Sequence, residues 1–132
     1  THSNVHICQA AVVEDYVWIY PYVVLTNDPH PPSDVFRKGP MVRRFAVIAT
    51  HACIMPEVEV GEESLVAAAA LVTRDVPPRA VVGGVPARRI CGVEEIELRD
   101  GSGRPAYPWR RHFRRGYPVD RIEAWAGEFP HG

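Results

Sequence analysis

The sequence lacks the features that mark membrane, secreted and nucleic-acid-binding proteins. No apolar run of about 18 residues is present, so no segment is long enough to span a bilayer as a helix. The first residues show no basic stretch followed by an apolar one, as a secretory signal has, and we therefore expect a cytoplasmic protein. Fifteen Lys and Arg against 16 Asp and Glu leave a formal charge of −1, which argues against nucleic acid and membrane surfaces as partners.

Cysteine is scarce, and its spacing fits no metal site. The three cysteines, Cys8, Cys53 and Cys91, are odd in number and far apart in the sequence. We interpret them as reduced thiols that pack as small apolar side chains, and we expect no bound metal. Proline and glycine, in contrast, are plentiful at 13 and 10 residues, which disfavours a helical bundle and indicates a chain rich in turns.

A six-residue period runs through the first half of the chain. The fourth residue after each repeated position is small or β-branched and never charged, as at Ala46, Ala52 and Ala70. A period of six matches neither the 3.6 of a helix nor the 2 of a plain strand. It predicts a coil of short strands and corners, in which every third hexad stacks above the first. The repeated positions are all aliphatic: Ile7, Val13, Ile19 and Leu25, then Val42, Ile48, Ile54, Val60, Val66 and Val72.

A proline-rich segment, residues 27–41, separates the two blocks of repeats. Its prolines at positions 29, 31, 32 and 40 exclude a regular ladder, so we predict a loop that protrudes from the coil and carries function. We predict a coil domain over residues 1–90 and a C-terminal extension over residues 91–132. The extension is expected to contain a hairpin between Val93 and Trp109 and a short amphipathic helix from Val119 to Ala126.

The hexads resemble those of the left-handed parallel β-helix acyltransferases, also called hexapeptide-repeat transferases. The resemblance covers roughly residues 5–90 and is strongest in three passages, 54–61 (Ile-Met-Pro-Glu-Val-Glu-Val-Gly), 72–78 and 83–88 (Gly-Gly-Val-Pro-Ala-Arg). Thr26-Asn27-Asp28 resembles the branch that acetylates amino groups of nucleotide-linked sugars. His30-Pro31 resembles the branch of the maltose and galactoside acetyltransferases. The glycine that the family often places one residue after the repeat start is nearly absent here.

The resemblance implies an all-β, left-handed parallel β-helix and an acyltransferase that uses acetyl-CoA as its co-substrate. It also implies a homotrimer that holds the acyl donor in the groove between neighbouring subunits. We predict an acetyl-CoA-dependent N-acetyltransferase in which the amine of a nucleotide-linked amino sugar attacks the thioester directly. An O-acetyltransferase that acts on a sugar or another small molecule is the near alternative.

The acceptor must lose a proton as it attacks, and an imidazole, which titrates near neutral pH, can take that proton. We predict that His30 is this base, because two prolines bracket it and the family register places a histidine there. Asn27 and Asp28 are predicted to bind the acceptor, and Asp28 also to orient the ring of His30. His51, three residues after a repeat start, is the second candidate and is expected at a corner or on the outer face.

The coenzyme is predicted to lie along small side chains and to end on cations. Ala49, Ala67 and Ala69 leave room for the pantetheine arm to approach the backbone. Arginine suits the geometry of phosphate, and the resemblance favours Arg88 for that end of the coenzyme. Thr73 and Arg74 complete the predicted set. We interpret the nearby Arg79 and Arg89 as surface charges.

Two other classes of function remain open from the sequence. A zinc carbonic anhydrase on the same scaffold would need three converging histidines, of which His30 and His51 supply two. A non-catalytic interaction module that has lost its donor site is the second, and the missing glycines keep this alternative open.

Overall fold

The structure is a computed structural model that describes residues 1–32, 34, 38–107 and 118–128. The chain divides into two compact units, Thr1–Val93 and Glu94–Gly132. The first unit contains the repeats and has the all-β architecture that the sequence predicts. A 3-10 turn, Val93–Glu95, spans the boundary, and the described part of the second unit contains a short antiparallel pairing and one helix.

The coil of the first unit contains, among its described residues, ten strands of two residues each. In every one of them the predicted aliphatic residue is the second of the pair, so the six-residue period is confirmed. Two longer strands close the coil. The strands are β1 His6–Ile7, β2 Val12–Val13, β3 Trp18–Ile19, β4 Val24–Leu25, β5 Met41–Val42, β6 Val47–Ile48, β7 Cys53–Ile54, β8 Glu59–Val60, β9 Leu65–Val66, β10 Leu71–Val72, β11 Ala80–Gly83 and β12 Arg88–Gly92.

Three sheets form the faces of a triangular prism, because every third strand stacks on the one before it. Sheet A has the strand order β1-β4-β7-β10, sheet B the order β2-β5-β8, and sheet C the order β12-β11-β9-β6-β3. Neighbouring strands are parallel, except β11 and β12, which are antiparallel. The predicted stacking of every third hexad is therefore confirmed, with a rise of about 4.8 Å per turn.

The aliphatic residues of successive turns lie in register inside the prism. Leu25 pairs with Ile54, and Ile54 with Val72, and none of the three is more than 1% exposed. In the first turn the same inward positions are open, since Ile7 is 44% and Val13 is 36% exposed. The small residues four places after the repeat starts are buried as well: Ala46, Ala52, Val58, Ser64, Ala70 and Val76.

At most corners the residue three places after the repeat start turns the chain from one face to the next with a positive φ; Asp28 and Asp75, which follow Leu25 and Val72 at that distance, are the exceptions. Prolines at 21, 56 and 78 precede such a residue, as is usual in a type II turn. The hydrogen bond that closes this turn is present, for example, from the N–H of Ala46 to the carbonyl of Arg43 at 3.2 Å. The left-handed residues are Asn4, Ala10, Tyr16, Tyr22, Phe45, His51, Glu57, Glu63, Ala69 and Arg79.

We name the three edges of the prism by the sheets that they join. Edge AB carries Ala10, the proline-rich loop and Glu57. Edge BC carries Tyr16, Phe45, Glu63 and Arg79. Edge CA carries Asn4, Tyr22, His51 and Ala69.

An ion network joins three turns of the chain beside sheet B. Arg43 donates from Nη1 to Glu14 Oε1 at 2.9 Å, and from Nε and Nη2 to both carboxylate oxygens of Glu59 at 3.0 Å. The second oxygen of Glu14 accepts the backbone N–H of Arg44 at 2.9 Å. The guanidinium of Arg43 therefore holds the pKa of Glu14 and of Glu59 below its ordinary value.

Two predicted boundaries differ from the structure. Met41, predicted as the last loop residue, is the first residue of β5 because it pairs with Val12 and Glu59 in sheet B. The predicted domain boundary after residue 90 falls inside β12, which continues to Gly92 because that residue pairs with Ala80 of β11.

The second unit, described up to residue 107 and again over residues 118–128, has little regular structure before its helix. A 3-10 turn spans Val93–Glu95, and Glu97 forms an antiparallel bridge with Pro105. The predicted hairpin end at Trp109 lies outside the described residues. Helix α1 spans Val119–Glu128, and no helix in the described ranges is long and apolar enough to cross a membrane.

Candidate functional site

The proline-rich loop leaves the prism after β4 and is fixed at edge AB on both sides. Asn27 donates from Nδ2 to the carbonyl of Gln9 in the turn below, at 3.2 Å. Where the loop returns, the carbonyl of Lys38 accepts the N–H of Glu57 in the turn above, at 3.1 Å. Gly39 fits between them because a Cβ at that position would lie 2.5 Å from the backbone of the preceding turn.

His30 lies near the start of this loop and is exposed. Its backbone N–H donates to Oδ1 of Asp28 at 2.8 Å, which forms the Asx turn that begins the loop. This oxygen of Asp28 therefore binds the backbone of His30. The prediction that Asp28 orients the imidazole is not supported by any ring contact between the two. Asn27 likewise anchors the loop, so both predicted acceptor-binding residues also have a structural part.

The predicted alanines lie close together on sheet C and on the neighbouring edge CA. Ala49 and Ala67 occupy the same place in consecutive turns, directly after β6 and β9. Gly83 continues this column in the next turn, where a Cβ would lie 3.0 Å from the Cβ of Ala67. Ala69 is exposed at edge CA, and its N–H donates to the carbonyl of Thr50 at 3.0 Å. The column offers a ligand a surface of small side chains.

Two predicted cations meet at a cavity at the end of the coil. Arg74 and Arg88 both line it, together with Asp75, the aliphatic Val72 and the neighbouring Arg89. Arg89, which the sequence analysis treats as a surface charge, therefore belongs to the same cluster, because β12 folds back antiparallel onto β11. Thr73 is exposed beside the cavity and does not line it. Three arginines and one aspartate line this opening, so its lining carries more positive than negative charge.

Arg79 does not join this cluster. It occupies edge BC, where Nη1 donates to the carboxylate of Glu63, a residue that is 8% exposed. A guanidinium that already binds a buried carboxylate is poorly placed to receive a ligand phosphate. The interpretation of Arg79 as a residue without a part in coenzyme binding agrees with this contact.

His51 occupies the left-handed position of edge CA, at the corner where its spacing from the repeat start predicts it. Its ring stacks on Tyr22 of the turn below, with the ring centres 5.0 Å apart and the planes at 19°. Thr50 Oγ1 lies 3.0 Å from Nδ1 of the ring and 2.7 Å from the carbonyl oxygen of Pro21. The imidazole is exposed but held in place by these contacts.

The candidate residues lie on different edges of one prism. The loop with His30 belongs to edge AB, whereas Ala69 and His51 belong to edge CA. Sheet A separates these two edges.

The three cysteines are free thiols and form no metal site. Burial raises the pKa of the Cys8 and Cys53 thiols and so favours their protonated form. Among the described residues, no group of three or more His, Cys, Asp or Glu side chains is placed to hold a metal ion.

Sequence comparison finds relatives that transfer acetyl groups, although no family model matches the chain. Galactoside O-acetyltransferase of Escherichia coli is 34% identical over 119 residues, which cover 74% of this chain and 57% of that protein. The 2,3,4,5-tetrahydropyridine-2,6-dicarboxylate N-acetyltransferase of Staphylococcus aureus is 33% identical over 97 residues, which cover 74% of this chain and 34% of that protein. The chain thus spans between a third and little more than half of these relatives.

Structure comparison leads to the same group of proteins. The crystal structure of serine acetyltransferase from Brucella abortus in complex with coenzyme A superposes with a TM-score of 0.58 at 36% identity. The match covers 64% of this chain and 33% of that one.

Proposed function

We propose an acetyl-CoA-dependent acyltransferase function for this chain, which belongs to the hexapeptide-repeat acyltransferases of left-handed parallel β-helix fold. The observation that carries the proposal is the meeting of Arg74 and Arg88 at one cavity, beside a column of small residues on the same prism. Coenzyme A has the matching shape, with phosphates at one end and a thin arm that carries amides.

The phosphate end of the coenzyme is proposed to bind at the arginine cavity. Arg74, Arg88 and Arg89 supply charge-assisted hydrogen bonds there, and Thr73 lies close enough in sequence to add a hydroxyl. The pantetheine arm would follow Ala67 and Ala49 down the prism. The relative that was crystallised with coenzyme A supports this choice of co-substrate.

His30 is proposed as the general base. One ring nitrogen takes the proton of the acceptor hydroxyl or amine as its oxygen or nitrogen bonds to the thioester carbonyl. Backbone amides stabilise the oxyanion that forms. The carbon–sulfur bond then breaks, and the imidazolium returns its proton to the departing thiolate of coenzyme A. The products are the acetylated acceptor and free coenzyme A.

The active site is proposed to lie between subunits of a trimer. His30 and the alanine column are on different edges of one prism, so a neighbouring copy is needed to bring edge AB of one subunit to edge CA of another. Such an arrangement gives each trimer three equal sites, each with the base from one chain and the coenzyme on the next.

The acceptor is proposed to be a small molecule with a hydroxyl or amino group. The two curated relatives named above transfer to a galactoside oxygen and to a nitrogen of a small dicarboxylate, according to their names. The narrower prediction, a nucleotide-linked amino sugar bound near Asn27 and Asp28, stays a proposal, because it depends on the tripeptide at 26–28 alone. Competition among such acceptors in the assay below would distinguish them.

Release of free thiol from acetyl-CoA in the presence of candidate acceptors tests the function. His30→Ala is expected to lower turnover roughly a hundredfold or more, because it removes the base and leaves the coil intact. His6→Ala, an exposed histidine of β1, is the matched control and should retain wild-type turnover. Wild-type turnover in His30→Ala would exclude His30 as the base.

Mixing two inactive variants tests the shared site. Chains with His30→Ala keep the arginine cavity, and chains with Arg88→Glu keep the base. If each site combines two chains, unfolding and refolding the two together should restore part of the activity that neither has alone. Mixed assemblies that form, as shown by native mass spectrometry, and yet stay inactive would place base and coenzyme on one chain.

A further inference from the structure

The proton on the His51 ring can be assigned from its contacts. Thr50 Oγ1 lies 2.7 Å from the carbonyl oxygen of Pro21, which can only accept a hydrogen bond. The single hydroxyl proton of Thr50 must therefore point at Pro21, since two lone pairs would otherwise repel at this distance. Thr50 Oγ1 is then an acceptor towards Nδ1 of His51, 3.0 Å away, so the proton of that contact belongs to Nδ1.

In the neutral ring this assignment leaves the lone pair on Nε2. The stacking on Tyr22 and the contact with Thr50 fix the plane of the ring, so the direction of that lone pair is fixed as well. The side chain is exposed at edge CA. His51 is thus a preorganised hydrogen-bond acceptor that faces solvent.

His51 lies on edge CA, beside the column of Ala49 and Ala67 that the coenzyme is proposed to follow. Ala69 is the equivalent residue one turn higher, about 4.8 Å further towards the arginine cavity. The backbone N–H groups of Thr50 and Ala68, which precede the two corner residues, have no hydrogen-bond partner within the described part of the chain. Edge CA therefore presents two free donors on successive turns and, beside the lower one, the acceptor of His51.

We propose that His51 binds the pantetheine arm of the coenzyme by accepting one of its amide N–H groups at Nε2. The arm carries two secondary amides, each of which has one donor and one acceptor to satisfy. The free N–H groups of edge CA donate to the carbonyls of the arm, and Nε2 of His51 accepts from an amide N–H of the arm. The inference rests on the proposed coenzyme function and assigns a binding role, whereas His30 keeps the role of base.

The test compares two ligands that differ in the arm alone. Affinities of coenzyme A and of adenosine 3′,5′-bisphosphate, which has the phosphate end without pantetheine, are measured by calorimetry on the wild type and on His51→Phe. Phenylalanine keeps a ring to stack on Tyr22, and Phe45 already occupies the equivalent left-handed position of edge BC. We expect coenzyme A to bind roughly fivefold more weakly and the bisphosphate to bind unchanged.

A second variant and a control make the result independent of folding. His51→Asn shortens the side chain beyond reach of the arm and suits a left-handed corner, as Asn4 does on the same edge. It should show the same selective loss. His6→Phe, on β1, should alter neither affinity. Unchanged melting temperatures show that the coil is intact.

Each other outcome overturns the inference. Equal weakening of both ligands would mean that His51 supports the fold of the binding edge rather than the arm. Wild-type affinity for coenzyme A in both His51 variants would mean that Nε2 accepts nothing from the coenzyme. If the wild type itself binds neither ligand, the proposed function fails and this inference fails with it.

Discussion

The difference between Ile54 and Ile7 is the sharpest test of the stacked coil. Both are isoleucines at the repeated position of a strand in sheet A, but Ile54 is fully buried and Ile7 is 44% exposed. Ile54→Ala removes three buried carbons between Leu25 and Val72 and leaves a cavity, which costs about 2–5 kcal/mol of unfolding free energy. Ile7→Ala loses only part of the transfer term and creates no closed cavity, so its cost is about 1 kcal/mol.

Urea denaturation at one fixed protein concentration measures both costs, with fluorescence and circular dichroism as independent probes. We expect the midpoint of Ile54→Ala to fall at least twice as far as that of Ile7→Ala, with the same slope for both variants. Equal shifts would refute the reasoning, because the first turn would then be as closed as the third.

Two further predictions concern the corners and the ion network. Ala10→Gly relieves a left-handed alanine and should not lower the melting temperature. Ala68→Gly changes a turn residue without positive φ and should lower the melting temperature by a few degrees. Thermal scans in which Ala10→Gly is the less stable of the two variants would contradict the corner assignment. Arg43→Gln should lower the melting temperature at pH 7 by removing the partner of Glu14 and Glu59. Because Arg43 depresses the folded-state pKa of both carboxyls below the ordinary 4.5, their contribution to stability is present above that pH and is lost as the pH falls through the depressed values. A difference in melting temperature between variant and wild type that stays constant down to acid pH would contradict this.

The strands of this fold can be predicted from the sequence because, in a narrow coil, the residues that recur every six positions are the ones that fill the interior. An aliphatic residue every six positions leaves one inward place per face, so the positions of Ile19, Ile48 and Val66 follow from counting. The corners are different. Their left-handed φ is usually marked by glycine, and here residues such as Phe45 and His51 adopt it, so composition alone gives no sign of it. The glycine typical of the family is expected one residue after the repeat start, whereas the left-handed residue of this chain lies three residues after it.

The contacts of the loop were harder to predict than its place. A carboxylate two residues before a histidine can reach either the ring or the backbone, and Oδ1 of Asp28 accepts the local N–H of His30. The same competition occupies Asn27, whose amide reaches the carbonyl of Gln9. Arg89 is exposed, as a surface charge should be, but the antiparallel return of β12 also brings it to the cavity of Arg74 and Arg88.

The period also determines the edge on which each candidate lies, and this limits how the proposed base and the proposed coenzyme site can act together. Three hexads make one turn, so the hexad that follows the strand of Leu25 belongs to sheet B, however many residues are inserted before Val42. The loop with His30 must therefore leave the prism at edge AB. The same count places Ala69 on edge CA. An insertion at edge AB can lengthen the loop but cannot move the alanine column to the same edge. With His30 at edge AB and the alanine column near edge CA, the proposed base and coenzyme site can act together where the edges of two copies meet. The mixed variants of His30 and Arg88 test whether the two are on different chains.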